Sequence, residues 1–173
     1  MNTSKINFYV NGKAIETNVL PEISLADFLH EKLGLTGTKV SCGIGVCKAC
    51  TVAVTAPGEK ELERVQACMM PISAFQGYRI ITVEGLASEN ALTPQQLIVL
   101  KKFSFQCGYC APGFLMGITL MIDQLKRIPI KKSDLYSFVE ENMGDHVCRC
   151  SGYNKYYEAI YEILLKSDFV STN

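Results

Sequence analysis

The chain has 173 residues, 48% hydrophobic and 20% charged, with 17 Lys and Arg balanced by 17 Asp and Glu to a net charge of zero. That composition excludes a disordered or fibrous chain, and without a basic excess there is no reason to expect nucleic acid as a partner. Cysteine is the unusual component, with eight residues against two His and no Trp.

Met1 to Lys5 runs straight into an alternating pattern, with no charged segment followed by an apolar one and no twin arginine, so no signal peptide is expected. Ile6, Phe8 and Val10 alternate with polar neighbours, Asn11-Gly12 supplies the residues of a tight turn, and Ala14 to Val19 returns as a second strand. Ser24 with Asp27 predicts a helix N-cap. Leu25, Phe28, Leu29 and Leu33 then share one helical face, and Gly34 stands at its C-terminal end. Thr51 to Val54 and Tyr78 to Val83 read as further strands, separated by a Pro57-Gly58 turn and a polar stretch. The first part is therefore expected to be a small sheet wrapped around one helix.

After a polar hinge, Ala87 to Asn90, the pattern becomes helical. Thr93-Pro94 supplies an N-cap and a first-turn proline. Helices are predicted at about 94–103, 113–126, 134–142 and 153–166, with ends good to roughly 2–4 residues. Pro112-Gly113 opens the second, Pro129 closes it, Ser133 caps the third and Gly144 ends it. The four are expected as two consecutive pairs, each interrupted by cysteines. The most apolar run, Phe114 to Ile122, contains Gly117 and Thr119 and falls far short of the roughly 20 residues that span a bilayer. No membrane insertion and a cytoplasmic location are the expectations, with export as part of a complex left open. In that compartment a cysteine-rich pattern points to metal before disulfides.

Cys42, Cys47, Cys50 and Cys68 are spaced C-x4-C-x2-C with seventeen residues before the fourth, the plant-type spacing for a [2Fe–2S] cluster. Three thiolates from one short segment require a tightly curved backbone, which Gly43 and Gly45 permit, and such a loop aims N–H groups at anionic sulfur. Cys107, Cys110, Cys148 and Cys150 form a second set in the helical part, placed so that two helix N-termini face one site. For this set alone both a [2Fe–2S] cluster and a four-thiolate zinc site are open. Burial as small hydrophobes explains one cysteine better than eight that divide into two complete fours. Disulfides are disfavoured by the closeness of Cys148 to Cys150 and of Cys47 to Cys50. His146 is expected to make a hydrogen bond or lie at the surface, since four cysteines already fill its neighbouring site. Arg149, between two ligands, could offset cluster charge, and Lys101-Lys102 and Lys131-Lys132 read as solvated helix ends. No catalytic triad, phosphate loop or nucleotide fingerprint is present.

Ser41-Cys42-Gly43 through Cys50, Gln106-Cys107-Gly108-Tyr109-Cys110-Ala111-Pro112-Gly113, and Cys148-Arg149-Cys150-Ser151-Gly152-Tyr153 resemble the iron–sulfur subunit of the xanthine dehydrogenase and aldehyde oxidase family of molybdenum hydroxylases. The resemblance covers nearly the whole chain, in order. It implies an α+β fold: a β-grasp plant-type ferredoxin domain at 1–86, then an all-α four-helix domain at 87–173 holding a second [2Fe–2S] cluster. It implies iron for both sets, so that all eight cysteines are metal ligands. By the same resemblance Gln106 and Cys150 contact molybdopterin in a separate large subunit, and a medium FAD-binding subunit is a further expected partner. Electrons would pass from molybdopterin through the two clusters to that flavin or an external acceptor. Hydroxylation of an aldehyde or N-heterocycle would belong to the large subunit, with no catalytic residue and no substrate site on this chain. The alternative is a free-standing two-cluster ferredoxin acting as a diffusible carrier. Two departures stand near the second set: Asp145-His146-Val147 replaces the usual Gly-Asn-Leu, and Tyr156 replaces an aliphatic residue. Both put local packing there in question.

Overall fold

In the computed structural model, which describes residues 3–88 and 91–171, the first turn falls at Asn11-Gly12. Both residues have positive φ, 49° and 79°, so the turn twists with its strands. Strand β1 (Ser4–Val10) therefore pairs antiparallel with β2 (Lys13–Val19), Val10 opposite Lys13. Ile6, Phe8 and Val10 are buried while Lys5, Asn7 and Tyr9 face out, the alternation of a half-buried strand. Helix α1 (Leu25–Glu31) starts where Ser24 Oγ accepts the Asp27 amide, and it buries Leu25, Phe28 and Leu29. The Phe28 ring meets Phe8 edge-on, centroids 5.5 Å apart, so α1 lies against the sheet.

Strands β3 (Thr51–Thr55), β4 (Glu63–Gln66) and β5 (Arg79–Ile81) complete a five-stranded sheet of order β2-β1-β5-β3-β4. β5 runs parallel to β1, whereas β3 is antiparallel to both β4 and β5. All five residues of β3 are buried. Val52 and Val54 join the core under α1, while Ala53 points the other way and packs with Met116 and Leu120. The sheet is thus covered on both faces, which the sequence did not suggest.

Helices α2 (Pro94–Lys101), α3 (Ala111–Arg127), α4 (Leu135–Met143) and α5 (Asn154–Leu165) begin and end within two residues of expectation. Thr93 caps α2 through a reciprocal box with Gln96, which satisfies two otherwise unpaired amides. Ser133, by contrast, does not cap α4. A 3-10 turn (Lys132–Asp134) leads into that helix, Asp134 occupies the cap position without a side-chain bond, and Ser133 Oγ donates to the Asp134 carboxylate instead. Lys102 is not merely solvated, since it pairs with Glu162 at 2.6 Å. Of the predicted hinge, Glu89 and Asn90 lie outside the described residues, and Ser88 and Ala91 exchange backbone hydrogen bonds of 3.2 and 3.3 Å.

The helices bury a second core that includes Phe114, Ile118, Met121, Val139, Tyr156 and Ile160. α2 packs on α5 as well as α3, and α3 on α4 as well as α5, so the helices form one group rather than two consecutive pairs. Two short segments, β6 (Ile130–Lys131) and β7 (Val170–Ser171), pair in parallel beside them. Among the described residues no helix is long and apolar enough to cross a membrane.

Candidate metal centres

The first cysteine loop is shaped by residues that tolerate left-handed backbone. Gly43 (φ 68°) and Gly45 (φ 74°) do so as expected, and Lys48 (φ 59°) joins them. This curvature turns the amides of Ile44 and Cys47 towards Cys42 Sγ, each at 3.5 Å. Those amides, Cys47 foremost, bring the Cys42 thiol down to about 6. Cys50 is buried, and burial pushes its thiol up to about 12.

Cys68 reaches the loop because of β4. β3 begins immediately after Cys50, and Thr51 pairs with Gln66. The chain two residues beyond that pair must therefore return beside Cys50, and the Ala67 amide donates to Cys50 O at 3.1 Å. The side chains of Cys50 and Cys68 interact. Strand β4, which makes this happen, is too short and polar to read from the sequence; its residues are Glu-Arg-Val-Gln.

The second set also converges. Gly108 (φ 78°) bends the segment after Cys107, and the Tyr109 amide donates to Cys107 Sγ at 3.5 Å. Cys110 is the N-cap of α3. Cys150 Sγ lies 3.5 Å from Cys107 Sγ, and Cys110 interacts with Cys148. Burial alone would raise Cys148, but hydrogen bonds from the Ser151 hydroxyl at 3.0 Å and amide at 3.4 Å, with those from Cys110 and the Cys150 backbone, together outweigh it and lower the thiol. Burial lifts Cys110 to about 11, against a lowering by the Tyr156 hydroxyl 3.5 Å away. Of the two helix ends expected to face this site, α3 starts directly after Cys110, whereas on the α5 side the donors come from Ser151, ahead of the helix.

All eight thiols are free, and they meet in twos: Cys42 with Cys47, Cys50 with Cys68, Cys107 with Cys150, and Cys110 with Cys148. Among the described residues no three His, Cys, Asp or Glu side chains are grouped to hold a single metal ion. Four thiolates per set suit a [2Fe–2S] group. The surrounding N–H and O–H donors suit anionic sulfur, so the residues present fit a [2Fe–2S] group at each set. A cavity of about 180 Å³ lies against the four cysteines of the second set and is also walled by Ser41, Cys47 and Ala49 of the first loop. A cavity of about 710 Å³ between α2, α3 and α5 is lined by none of these cysteines.

The two loops are joined directly. The Val147 amide donates to Cys47 O at 3.1 Å, Tyr109 Oη donates to Val40 O at 2.6 Å, and Asp145 pairs with Lys48 at 3.2 Å and Arg64 at 3.7 Å. Arg64 also donates to Asn142 O at 2.6 Å. His146 is buried, with Nε2 3.2 Å from Gly113 O and its ring 5.0 Å from that of Phe114. The replaced Asp145-His146-Val147 segment therefore packs as a bridge between the loops. Gln106, Cys107, Arg149 and Cys150 are exposed together.

Both parts of the chain match iron–sulfur families. Residues 8–73 match the 2Fe-2S iron-sulfur cluster binding domain family, and residues 82–161 match the [2Fe-2S] binding domain family. Aldehyde oxidase 2 of Rattus norvegicus is 37% identical over 96% of this chain, and xanthine dehydrogenase of Blastobotrys adeninivorans is 36% identical over 91%. The chain spans only 12% and 11% of those two proteins. A chain of quinoline 2-oxidoreductase from Pseudomonas putida 86 superposes with a TM-score of 0.79 and 32% identity, covering 95% of this chain and 94% of its own. The aldehyde oxidoreductase of Desulfovibrio desulfuricans ATCC 27774 superposes with a TM-score of 0.77 and 31% identity, over 95% of this chain and 17% of its own.

Proposed function

We infer the function from one premise: the chain belongs to the [2Fe–2S] iron–sulfur portion of the xanthine dehydrogenase and aldehyde oxidase family of molybdenum hydroxylases. Its role is electron transfer within such an enzyme. The observation that carries the cofactor assignment is the pairwise meeting of eight free thiols in two sets of four.

We propose that Cys42, Cys47, Cys50 and Cys68 hold one cluster, and Cys107, Cys110, Cys148 and Cys150 the other. When bound, each cluster supplies a site that takes up and releases one electron. The chain's own part is to fix the sites and set their surroundings. The amides of Ile44, Cys47, Tyr109 and Ser151 stabilise negative sulfur. Cys50 and Cys110, whose thiols burial keeps protonated, must release protons as metal enters. The Val147-to-Cys47 hydrogen bond and the Asp145 ion pairs hold the two loops at a fixed separation.

The finer fold assignment is a β-grasp ferredoxin domain at 1–86 followed by a four-helix domain at 87–173. It is supported by a first hydrophobic cluster lying within residues 6–80 and a second within residues 98–170. We propose that the partner is a large molybdopterin-binding subunit reached through the exposed Gln106 and Cys150, and that an FAD-binding subunit receives the electrons. The hydroxylated substrate, an aldehyde or N-heterocycle, belongs to the large partner. The separate quinoline oxidoreductase chain, matched over 94% of its length, favours a subunit of a complex over a diffusible carrier. Purification from the native source tests this: a stable complex with a large molybdenum-containing chain is expected, and a lone monomer with no such partner would overturn it in favour of a free ferredoxin.

A further inference from the structure

Tyr156 stands where the resemblance leads one to expect an aliphatic side chain, and it is completely buried. Its ring stacks on Phe114, centroids 3.8 Å apart and planes within 5°. Its hydroxyl lies 3.5 Å from Cys110 Sγ. The residue is locked from the backbone side as well. The Tyr156 amide donates to Tyr153 O at 2.9 Å, and Ser104 Oγ donates to the carbonyl of the preceding Lys155 at 2.8 Å. The stacked, buried ring at the start of α5 sends its hydroxyl to a cysteine of the second set.

We propose that the Tyr156 hydroxyl donates a hydrogen bond to Cys110 and thereby raises the reduction potential of the cluster held by the helical cysteines. This rests on the reading that Cys107, Cys110, Cys148 and Cys150 hold a [2Fe–2S] cluster. A ligating thiolate carries no proton, so the tyrosine must be the donor. Reduction adds negative charge that is shared with the ligand sulfurs, and a hydrogen bond to a more negative acceptor is stronger. The bond therefore stabilises the reduced state more than the oxidised one, the direction by which hydrogen bonds to sulfur raise cluster potentials. Burial strengthens the effect by lowering the local dielectric, and it leaves no water to replace the hydroxyl if that is removed. The bland account, that Tyr156 only fills the core, explains the stacking equally well. It gives no reason for the hydroxyl to meet sulfur, and it predicts no change in potential when the oxygen alone is deleted.

Tyr156→Phe keeps the ring and its stack. With the protein purified together with whatever partners it carries, a redox titration followed by electron paramagnetic resonance should show two one-electron transitions. In Tyr156→Phe one of them should move to lower potential by about a tenfold change in its reduction equilibrium, or about 59 mV, while the other stays in place. Tyr156→Leu should move the same transition in the same direction. Two unmoved transitions in a fully loaded Tyr156→Phe protein would overturn the proposal. So would a shift seen with Leu but not with Phe, which would assign the effect to ring packing. Iron counted beforehand separates this from the underlying reading, since a wild-type protein with fewer than about four irons per chain would fail the two-cluster reading on which the proposal rests.

Discussion

His146 shows how a single buried side chain reports on the junction between the loops. Burial, then the nearby Arg64 guanidinium, holds its imidazole down to about 4. Among the described residues Nδ1 has no hydrogen-bond partner, Asp145 Oδ1 being 3.5 Å away. In the unfolded chain a histidine takes its proton near pH 6.5, so the unfolded state binds more protons across the interval from about 6.5 to about 4. The folded protein should therefore lose stability as pH falls through that interval, by roughly 3 kcal/mol at most, and gain nothing further from this group above it. Denaturant midpoints measured between pH 7.5 and 5 with iron retained should show this slope, and His146→Gln should flatten it. An equal slope in both proteins would mean that other groups set the acid limit. The sequence allowed either a hydrogen bond or a surface position for His146; its burial depends on Gly117, which leaves room beside Nε2. That approach is set by how α3 packs, and no local pattern encodes it.

Elements bring the cysteines together, and α3 passes tightly against the first cysteine loop at Gly113 in its first turn. A Cβ there would run into the backbone oxygen of Lys48 and come within 2.9 Å of Ala49 Cα. Both atoms belong to the first cysteine loop and neither is a mobile side-chain end. Gly113→Ala should cost about 1–3 kcal/mol, the usual range for overpacking, and should weaken iron retention by the first set although the substitution lies in the helix of the second. Thermal unfolding with iron analysis checks this, and an unchanged Tm with full iron would contradict it. Gly113 was legible only as a helix opener. The elements with strong local signals, the Asn11-Gly12 hairpin, the Ser24 cap and the Thr93-Pro94 helix start, appear where the residues require them. Those set by tertiary pairing were not legible. β4 has four residues and little apolar content, and β6 and β7 have two residues each, so none carries a periodicity that could identify it.

For the whole molecule the cysteine spacing was the most informative feature, because it constrains chemistry as well as conformation. The cysteines of each expected four meet as pairs in space, and that pairing emerges only when β4 and the 145–151 segment are in place. Two packed subdomains, one of sheet and one of helices, were expected. The extent of their contact was not: α3 packs on the second face of the sheet, and Lys48 and Arg64 reach across to Asp145. The net charge changes meaning as well. Zero counts eight neutral thiols, whereas each oxidised four-thiolate [2Fe–2S] cluster carries about −2, making the loaded chain about −4. Metal analysis of the purified chain tests the central claim most directly. About four irons and four acid-labile sulfides per chain are expected, with Cys68→Ser and Cys148→Ser each lowering iron towards about two. Zinc in place of iron, or about two irons in the unaltered chain, would contradict the account.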